Sequence, residues 1–308
     1  MTKTYQPRRA ASESFHTVRG LQYHVLQWGE EAPGGEPPLV MLHGWMDVAA
    51  SFQFVADALL ETALAGRRIV APDWRGFGRT AAPGADCYWF PDYLGDLDAL
   101  LDLLVPDQPV DLVGHSMGGN VVMSYAGVRT LRIRRLVNLE GFGMPASRPE
   151  QAPKRLLQWL DELKAAQDLR PYPTSEGVVR RLMKNNPLLG EDKARWLAPQ
   201  WSEPFIAADG ARQWRILGDA AHKRVNPMLY HVDEVLETWR LISAPLLWVQ
   251  AEHTDITKWW HGRMTIDEFH QRLAVVPQVR RERLAAAGHM LHHDQPEALA
   301  ALLADFLG

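Results

Sequence analysis

The stretch Gly114-His115-Ser116-Met117-Gly118-Gly119 has residue types and spacing that could do chemistry. An apolar run, Val110 to Val113, precedes it, and a helix-compatible run, Asn120 to Val128, follows. Strand, sharp turn and helix, in that order, form the setting in which Gly-x-Ser-x-Gly presents a nucleophile. The serine must sit on a strained turn so that its hydroxyl projects above the sheet. Glycines two before and two after it remove Cβ atoms that would collide with neighbouring backbone. The helix that follows aims its unpaired N–H groups at any negative charge that develops.

A serine hydroxyl is a weak nucleophile at neutral pH and needs a base to take its proton. His289 is the first candidate, because it follows a glycine between a late strand and the terminal helix. His292 and His293 are rivals close in sequence, and they read better as loop residues running into that helix. The imidazole in turn needs a buried carboxylate to set its tautomer and stabilise its charged form. Asp255, after the strand Leu246 to Val249, is preferred, and Glu140, ending the strand before, is the alternative. Both keep the order serine, acid, histidine. A tetrahedral intermediate also needs N–H donors at its oxyanion. The backbone of Met117 should supply one and that of Trp45, after His43-Gly44, the other.

Strands and helices must alternate to position these groups, and the pattern does so. Phe15 to Val18 and Leu21 to Trp28 read as antiparallel strands punctuated by Gly20, and Glu30 to Pro38 reads as a loop. Leu39 to Leu42 is a short buried strand. Phe52, Val55, Leu59 and Leu60 mark a helix closed by Gly66, and Arg68 to Ala71 is the next strand. Tyr93, Leu94, Leu97, Leu100, Leu101 and Leu104 form an amphipathic helix ahead of the Ser116 turn, and Leu136 to Leu139 is a further strand. Such alternation implies parallel strands with crossover helices, and places chemistry at the carboxyl ends of the strands.

The alternation stops after Met144. From Pro149 to about Leu241 there are helical patterns, six interrupting prolines and no convincing strand. The expected division is therefore core over 1–144, a helical cap inserted over 145–243, and core again over 244–308. The cap carries Trp159, Trp196, Trp201, Trp214 and Trp239, which either pack it onto itself or line an apolar pocket. The sheet then resumes at Leu246 and, more weakly, at Val279 to Ala286. Pro296 and Glu297 open the last helix, with Asp294 as its expected cap.

The bulk numbers agree with an ordinary globular chain: 308 residues, 46% hydrophobic and 23% charged, with a net charge of −4. Nothing in that balance marks a nucleic-acid or anionic-membrane partner. The lone Cys87 forms no internal disulfide, the first residues lack an apolar signal core, and no run approaches the ~20 apolar residues of a membrane span. A cytoplasmic location is expected. His289 and His293 have i, i+4 spacing but no third ligand stands out, so no metal is expected. No Gly-x-Gly-x-x-Gly follows the first strands, so no dinucleotide cofactor is expected either.

Four motifs together resemble the α/β-hydrolase superfamily along nearly the whole chain: His43-Gly44-Trp45, Asp73-Trp74-Arg75-Gly76-Phe77-Gly78, Gly114 to Gly119, and Gly288-His289. The resemblance implies a mostly parallel eight-stranded α/β sheet flanked by helices. It also implies a cofactor-free serine hydrolase, with Ser116 as nucleophile, His289 as base, and Trp45 and Met117 as oxyanion donors. Asp73 to Gly78 looks structural in that family. The family's acid usually follows the seventh strand in a Gly-x-x-Asp-like turn. Here Ala251-Glu252-His253-Thr254-Asp255 is one residue longer. Some relatives, including haloalkane dehalogenases, place the acid after the sixth strand, and Leu139 to Pro145 looks similar to that. Dehalogenases and epoxide hydrolases use an aspartate where this chain has Ser116. The expected activity is therefore cleavage of a small carboxylic ester with an apolar group. Lactones, thioesters and C–C bonds are alternatives on the same core, and a non-catalytic binding protein is an alternative of another class. The oligomeric state is left open.

Overall fold

The computed structural model describes residues 4–30 and 35–308. The middle of the loop expected over Glu30 to Pro38 and the start of the N-terminal segment lie outside the described residues. The chain opens with two antiparallel strands, β1 (Ser12–Val18) and β2 (Leu21–Trp28). Arg19 and Gly20 join them, both in the left-handed region at φ 47° and 83°, as a two-residue hairpin turn requires.

The strand–helix alternation follows. β3 (Leu39–Leu42) leads through a 3₁₀ turn into α1 (Gln53–Ala58) and β4 (Ile69–Pro72). Then come α2 (Phe90–Leu104), β5 (Val110–His115), α3 (Met117–Val128) and β6 (Ile133–Leu139). The sheet is completed by β9 (Leu246–Ala251) and β10 (Val279–Leu284), with β7 and β8 described below. The eight strands lie in the order β1-β2-β4-β3-β5-β6-β9-β10, and all pairs from β4 onward are parallel. α8 (Ile256–Trp259), α9 (Ile266–Leu273), α10 (Leu291–Asp294) and α11 (Pro296–Leu307) fill the C-terminal third.

This order reverses direction at β3. The chain moves from β3 to β4 on one side and then returns to β5 on the other. The crevice at such a reversal, beyond the carboxyl ends, is where doubly wound sheets hold their ligands. Register brings the functional ends level. Leu42 pairs with Gly114, His115 with Leu139, and Leu139 with Val249. The residues that leave the sheet next are His43, Ser116 and Glu140, side by side.

β5 is buried along its whole length, as a central parallel strand must be. Even Asp111 is covered, and its carboxylate accepts from Arg67 and Arg134. Two apolar clusters sandwich the sheet. One holds Met41, Val113, Val137 and Leu303, the other Leu42, Leu112, Leu136 and Trp248.

Between β6 and β9 the structure departs from expectation in two ways. The segment does contain α4 (Ala152–Lys164), α5 (Ser175–Asn185) and α6 (Glu191–Trp201). It also contains a two-stranded antiparallel ribbon, β7 (Ser202–Ile206) and β8 (Arg212–Ile216), where only helix was expected. Pro204 and the mixed burial of both strands hide the ribbon in sequence, since proline is tolerated only where a strand lacks a partner on one side. Its end is tied to the core by the Leu217 carbonyl accepting from Gly78 N–H and the Asp219 N–H donating to Gly76. Second, α7 (Val232–Arg240) packs on α3, and Trp239 and Ile242 join the cluster around Trp248 and Phe269. The last helix inside 145–243 is therefore built into the core.

The insertion's tryptophans mostly face the core. Trp196 stacks edge-on to Phe54, Trp201 donates to the Met46 carbonyl, and Trp239 lies against Phe269. At the terminus, α11 begins after Gln295, whose side chain makes no capping bond. Asp294 instead accepts from Gly288 N–H at 2.9 Å and from Asn186 at 2.7 Å.

The α3–α7 contact needs a residue without a side chain. A Cβ at Gly127 would fall 2.0 Å from the Thr238 carbonyl oxygen, a backbone atom that can yield only if the helix moves. Gly127→Ala should therefore destabilise the protein by about 1–3 kcal/mol, despite alanine's better helix propensity. A lowered urea midpoint at unchanged slope is the expected reading.

Candidate active site

Ser116 occupies the turn between β5 and α3 with φ 53° and ψ −113°, a conformation that L-residues rarely adopt. Neighbours hold it there from both sides. Ser116 N–H donates to the Leu139 carbonyl at 2.8 Å, and the Ser116 carbonyl accepts from Asn120. Close approach explains the flanking glycines. A Cβ at Gly114 would fall 2.3 Å from the Gly118 oxygen, and one at Gly118 would fall 2.3 Å from the Leu42 oxygen on β3.

His289 arrives on the loop after β10. Its Nε2 lies 2.9 Å from Ser116 Oγ, and its Nδ1 lies 3.1 Å from Glu140 Oε2. A carboxylate offers only lone pairs, so Nδ1 carries the proton and Nε2 is left to accept from the serine. The His289 carbonyl accepts from His115 Nε2 at 2.7 Å, and the ring of Trp259 stands edge-on to the imidazole at 4.5 Å. Asp294, through Gly288, fixes the loop from behind.

The acid paired with His289 is Glu140, and the preference for Asp255 is corrected. Asp255 is exposed and caps α8, where Oδ1 accepts from Lys258 N–H at 3.1 Å. Four residues make so short a helix, and capping uses the carboxylate that the longer turn displaces. Glu140 is 1% exposed and leaves β6 at φ 60°. The Asn138 side chain closes this turn, bonding both the N–H and the carbonyl of Gly141. Glu140 Oε1 accepts from Ala251 N–H at 2.6 Å, and Oε2 accepts from Thr254 Oγ1 at 2.6 Å as well as from His289. The turn after β9, where an acid was expected, instead supplies donors to the acid of the neighbouring strand. Asn138, Thr254 and His115 were not singled out from sequence. An asparagine two before the strand-end acid and a threonine in the overlong turn were the only available signals.

Of the two expected N–H donors, Met117 directly follows the serine and Trp45 follows Gly44. Met117 is the first residue of α3, so its N–H has no carbonyl a turn behind it within the helix. Gly44, which precedes Trp45, lies against the turn, and a Cβ there would come 3.1 Å from Ser116 Cβ. The loop is shaped by buried His43. Its Nε2 accepts from Trp74 N–H at 2.9 Å, leaving Nδ1 to donate to the Gly44 carbonyl, and Trp74 Nε1 donates back to the His43 carbonyl. Burial pushes the His43 imidazole below its usual range, which keeps this neutral tautomer. Met46, next along, also has φ 56°. Met46, Ser116 and Glu140 are three of the six non-glycine residues at positive φ among the described residues, a clustering seen where a site stores backbone strain.

His292 and His293, the rival bases, lie on α10, buried and turned away from Ser116 toward Asp47. His289 is not part of that group, so the i, i+4 spacing of His289 and His293 does not form a pair of ligands.

Comparisons with known proteins bear on the whole arrangement. The chain is 23% identical over 310 residues to a serine hydrolase-like protein of Dictyostelium discoideum, covering 96% of this chain and 80% of that one. A shorter stretch of 124 residues is 36% identical to an epoxide hydrolase 2 of Siraitia grosvenorii, spanning 40% of this chain and 36% of that protein. Among solved structures, a thioesterase domain from the curacin biosynthetic pathway superposes with a TM-score of 0.81 at 28% identity, over 96% of this chain and 99% of that one. Residues 37–296 match the model of the alpha/beta hydrolase fold. That match takes in β3, the Ser116 turn, Glu140 and His289, and it places the chain in the α/β-hydrolase fold family.

Proposed function

We propose that this chain is a serine hydrolase that cleaves carboxylic esters through an acyl-enzyme. The observation that carries the reading is the unbroken relay from Ser116 Oγ to His289 Nε2 at 2.9 Å and from His289 Nδ1 to Glu140 at 3.1 Å. Ser116 Oγ attacks the ester carbonyl as its proton passes to His289 Nε2. Glu140 keeps the imidazolium oriented and balances its charge without taking the proton. The oxyanion is held by the main-chain N–H groups of Met117 and Trp45. The imidazolium then protonates the departing alcohol, leaving the acyl group on Ser116. Water adds with His289 again as base, releasing the acid and restoring the serine.

Burying a carboxylate is costly without partners. The Ala251 N–H, the Thr254 hydroxyl and His289 supply them. The inserted segment is read as a cap over the crevice, where the half-exposed Trp259 ring stands against His289 and Trp45 offers a second half-exposed ring two residues after His43. They favour a substrate with an apolar acyl or alcohol group. Thioesters form a second reading, supported by the likeness to the thioesterase domain at 28% identity. Both share one core chemistry and are separated by a panel of matched esters and thioesters. No helix among the described residues is long and apolar enough to cross a membrane.

Ser116→Ala should reduce kcat on short p-nitrophenyl esters by about 10⁶-fold, as in the protease type case, and abolish labelling by a fluorophosphonate. Retained activity in that variant would exclude the mechanism.

Glu140→Gln should lower kcat by about 10⁴-fold, by analogy with replacement of the corresponding acid in a serine protease, whereas Asp255→Asn should change it by less than about threefold. The reverse ranking would return the role to Asp255.

Thr254→Val removes one donor from Glu140 while preserving shape. The loss of one hydrogen bond to a charged group, about 1.5–3 kcal/mol, predicts kcat lower by about 10- to 100-fold with KM little changed.

A further inference from the structure

Behind the candidate site lies a group of polar side chains that the hydrolysis does not use. Asp47 follows Trp45 by two residues, and His292 and His293 follow His289 on α10. All three are buried, at 6%, 0% and 3% exposure. One donor atom from each lies within 4.8 Å of the other two, and His292 Nε2 is 3.6 Å from Asp47 Oδ2. Asp47 Oδ1 accepts from Ser51, but Oδ2 has no hydrogen-bond partner among the described residues. Neither ring nitrogen of His292 has one, and neither does His293's. Buried imidazole nitrogens are normally satisfied, so four orphaned ones beside an orphaned carboxylate oxygen call for an occupant.

We propose that Asp47, His292 and His293 bind one divalent first-row transition ion of the zinc class. Two imidazoles and one carboxylate match the borderline ligand preference of zinc, cobalt and nickel, and provide too few oxygens for calcium or magnesium. Around a tetrahedral ion with bonds of about 2.0–2.1 Å the ligand atoms stand about 3.4 Å apart. The Asp47–His292 separation, 3.6 Å, is already close to that, and the other separations among the three ligand atoms lie within 4.8 Å. Water takes the fourth position.

The site is distinct from the relay. His289 points to Ser116 and Glu140, and His115 lies between its ring and that of His292, with centroids 4.8 and 4.4 Å away. An ion here would clip the loop after β3, which carries Trp45, to α10, which follows His289 by two residues. The inference goes beyond the hydrolase reading and stands without it.

The test uses the full chain, freed of metal by chelator and then titrated with Co²⁺ and Zn²⁺. One equivalent of Co²⁺ should bind with the intense visible bands of four-coordinate cobalt. Zn²⁺ at a hundredfold excess over its Kd should raise Tm by about 5 °C. His293→Gln, which keeps a polar side chain, should retain the metal-free fold and weaken binding by 100-fold or more. Asp47→Asn, nearly unchanged in volume, should do the same and serves if His293→Gln fails to fold. Absence of the four-coordinate spectrum and of the Tm shift in the wild-type chain would overturn the proposal. So would equal affinity in wild type and in a folded variant, since the ion would then sit on other histidines.

Discussion

A buried carboxylate needs donors, and meeting that need at Glu140 organises one side of this molecule. Its oxygens accept from the Ala251 N–H at the end of β9, from the Thr254 hydroxyl in the following turn, and from His289 on the loop after β10. Glu140 itself ends β6. One side chain therefore gathers the carboxyl ends of three neighbouring strands. The parallel register makes this feasible: Leu139, the last residue of β6, pairs with Val249, and β9 runs on to Ala251, whose N–H meets Glu140.

Strain and packing are linked in the same region. Ser116 and Glu140 leave adjacent strands at positive φ, and Met46 does so in the loop beyond β3. Each is held by contacts that leave no slack: the Leu139 carbonyl for Ser116, the Asn138 side chain around Glu140, and the Trp201 indole on the Met46 carbonyl. Unfavourable backbone persists only when the surroundings over-determine it. Here the determinants come from the sheet, from a side chain and from the inserted segment.

Much of this was legible in the amino-acid sequence. The strand–helix alternation, the Ser116 turn and His289 follow from periodicity and from glycine spacing, which are local signals. The choice between Asp255 and Glu140 was not local. Both end strands and both precede His289, and what separates them is that Asp255 turns outward to cap a one-turn helix. The overlong turn Ala251 to Asp255 hinted at it, but only the tertiary donors on Glu140 decide it. The β7–β8 ribbon was hidden for a similar reason. Five-residue strands with Pro204 among them carry no clear period, and their pairing is set by the contact with the turn at Gly76 and Gly78. Asp47 and the two histidines of α10 lie far apart in the chain, so no spacing rule could join them.

Two of the inserted segment's several ties to the core run from Trp201 to the Met46 carbonyl and from Asn186 to Asp294. The first ends on the loop beside Ser116, and the second ends on the carboxylate that secures Gly288. A change in the insertion that displaced Trp201 or Asn186 would therefore be felt at the Met46 turn and at Gly288, one residue from His289.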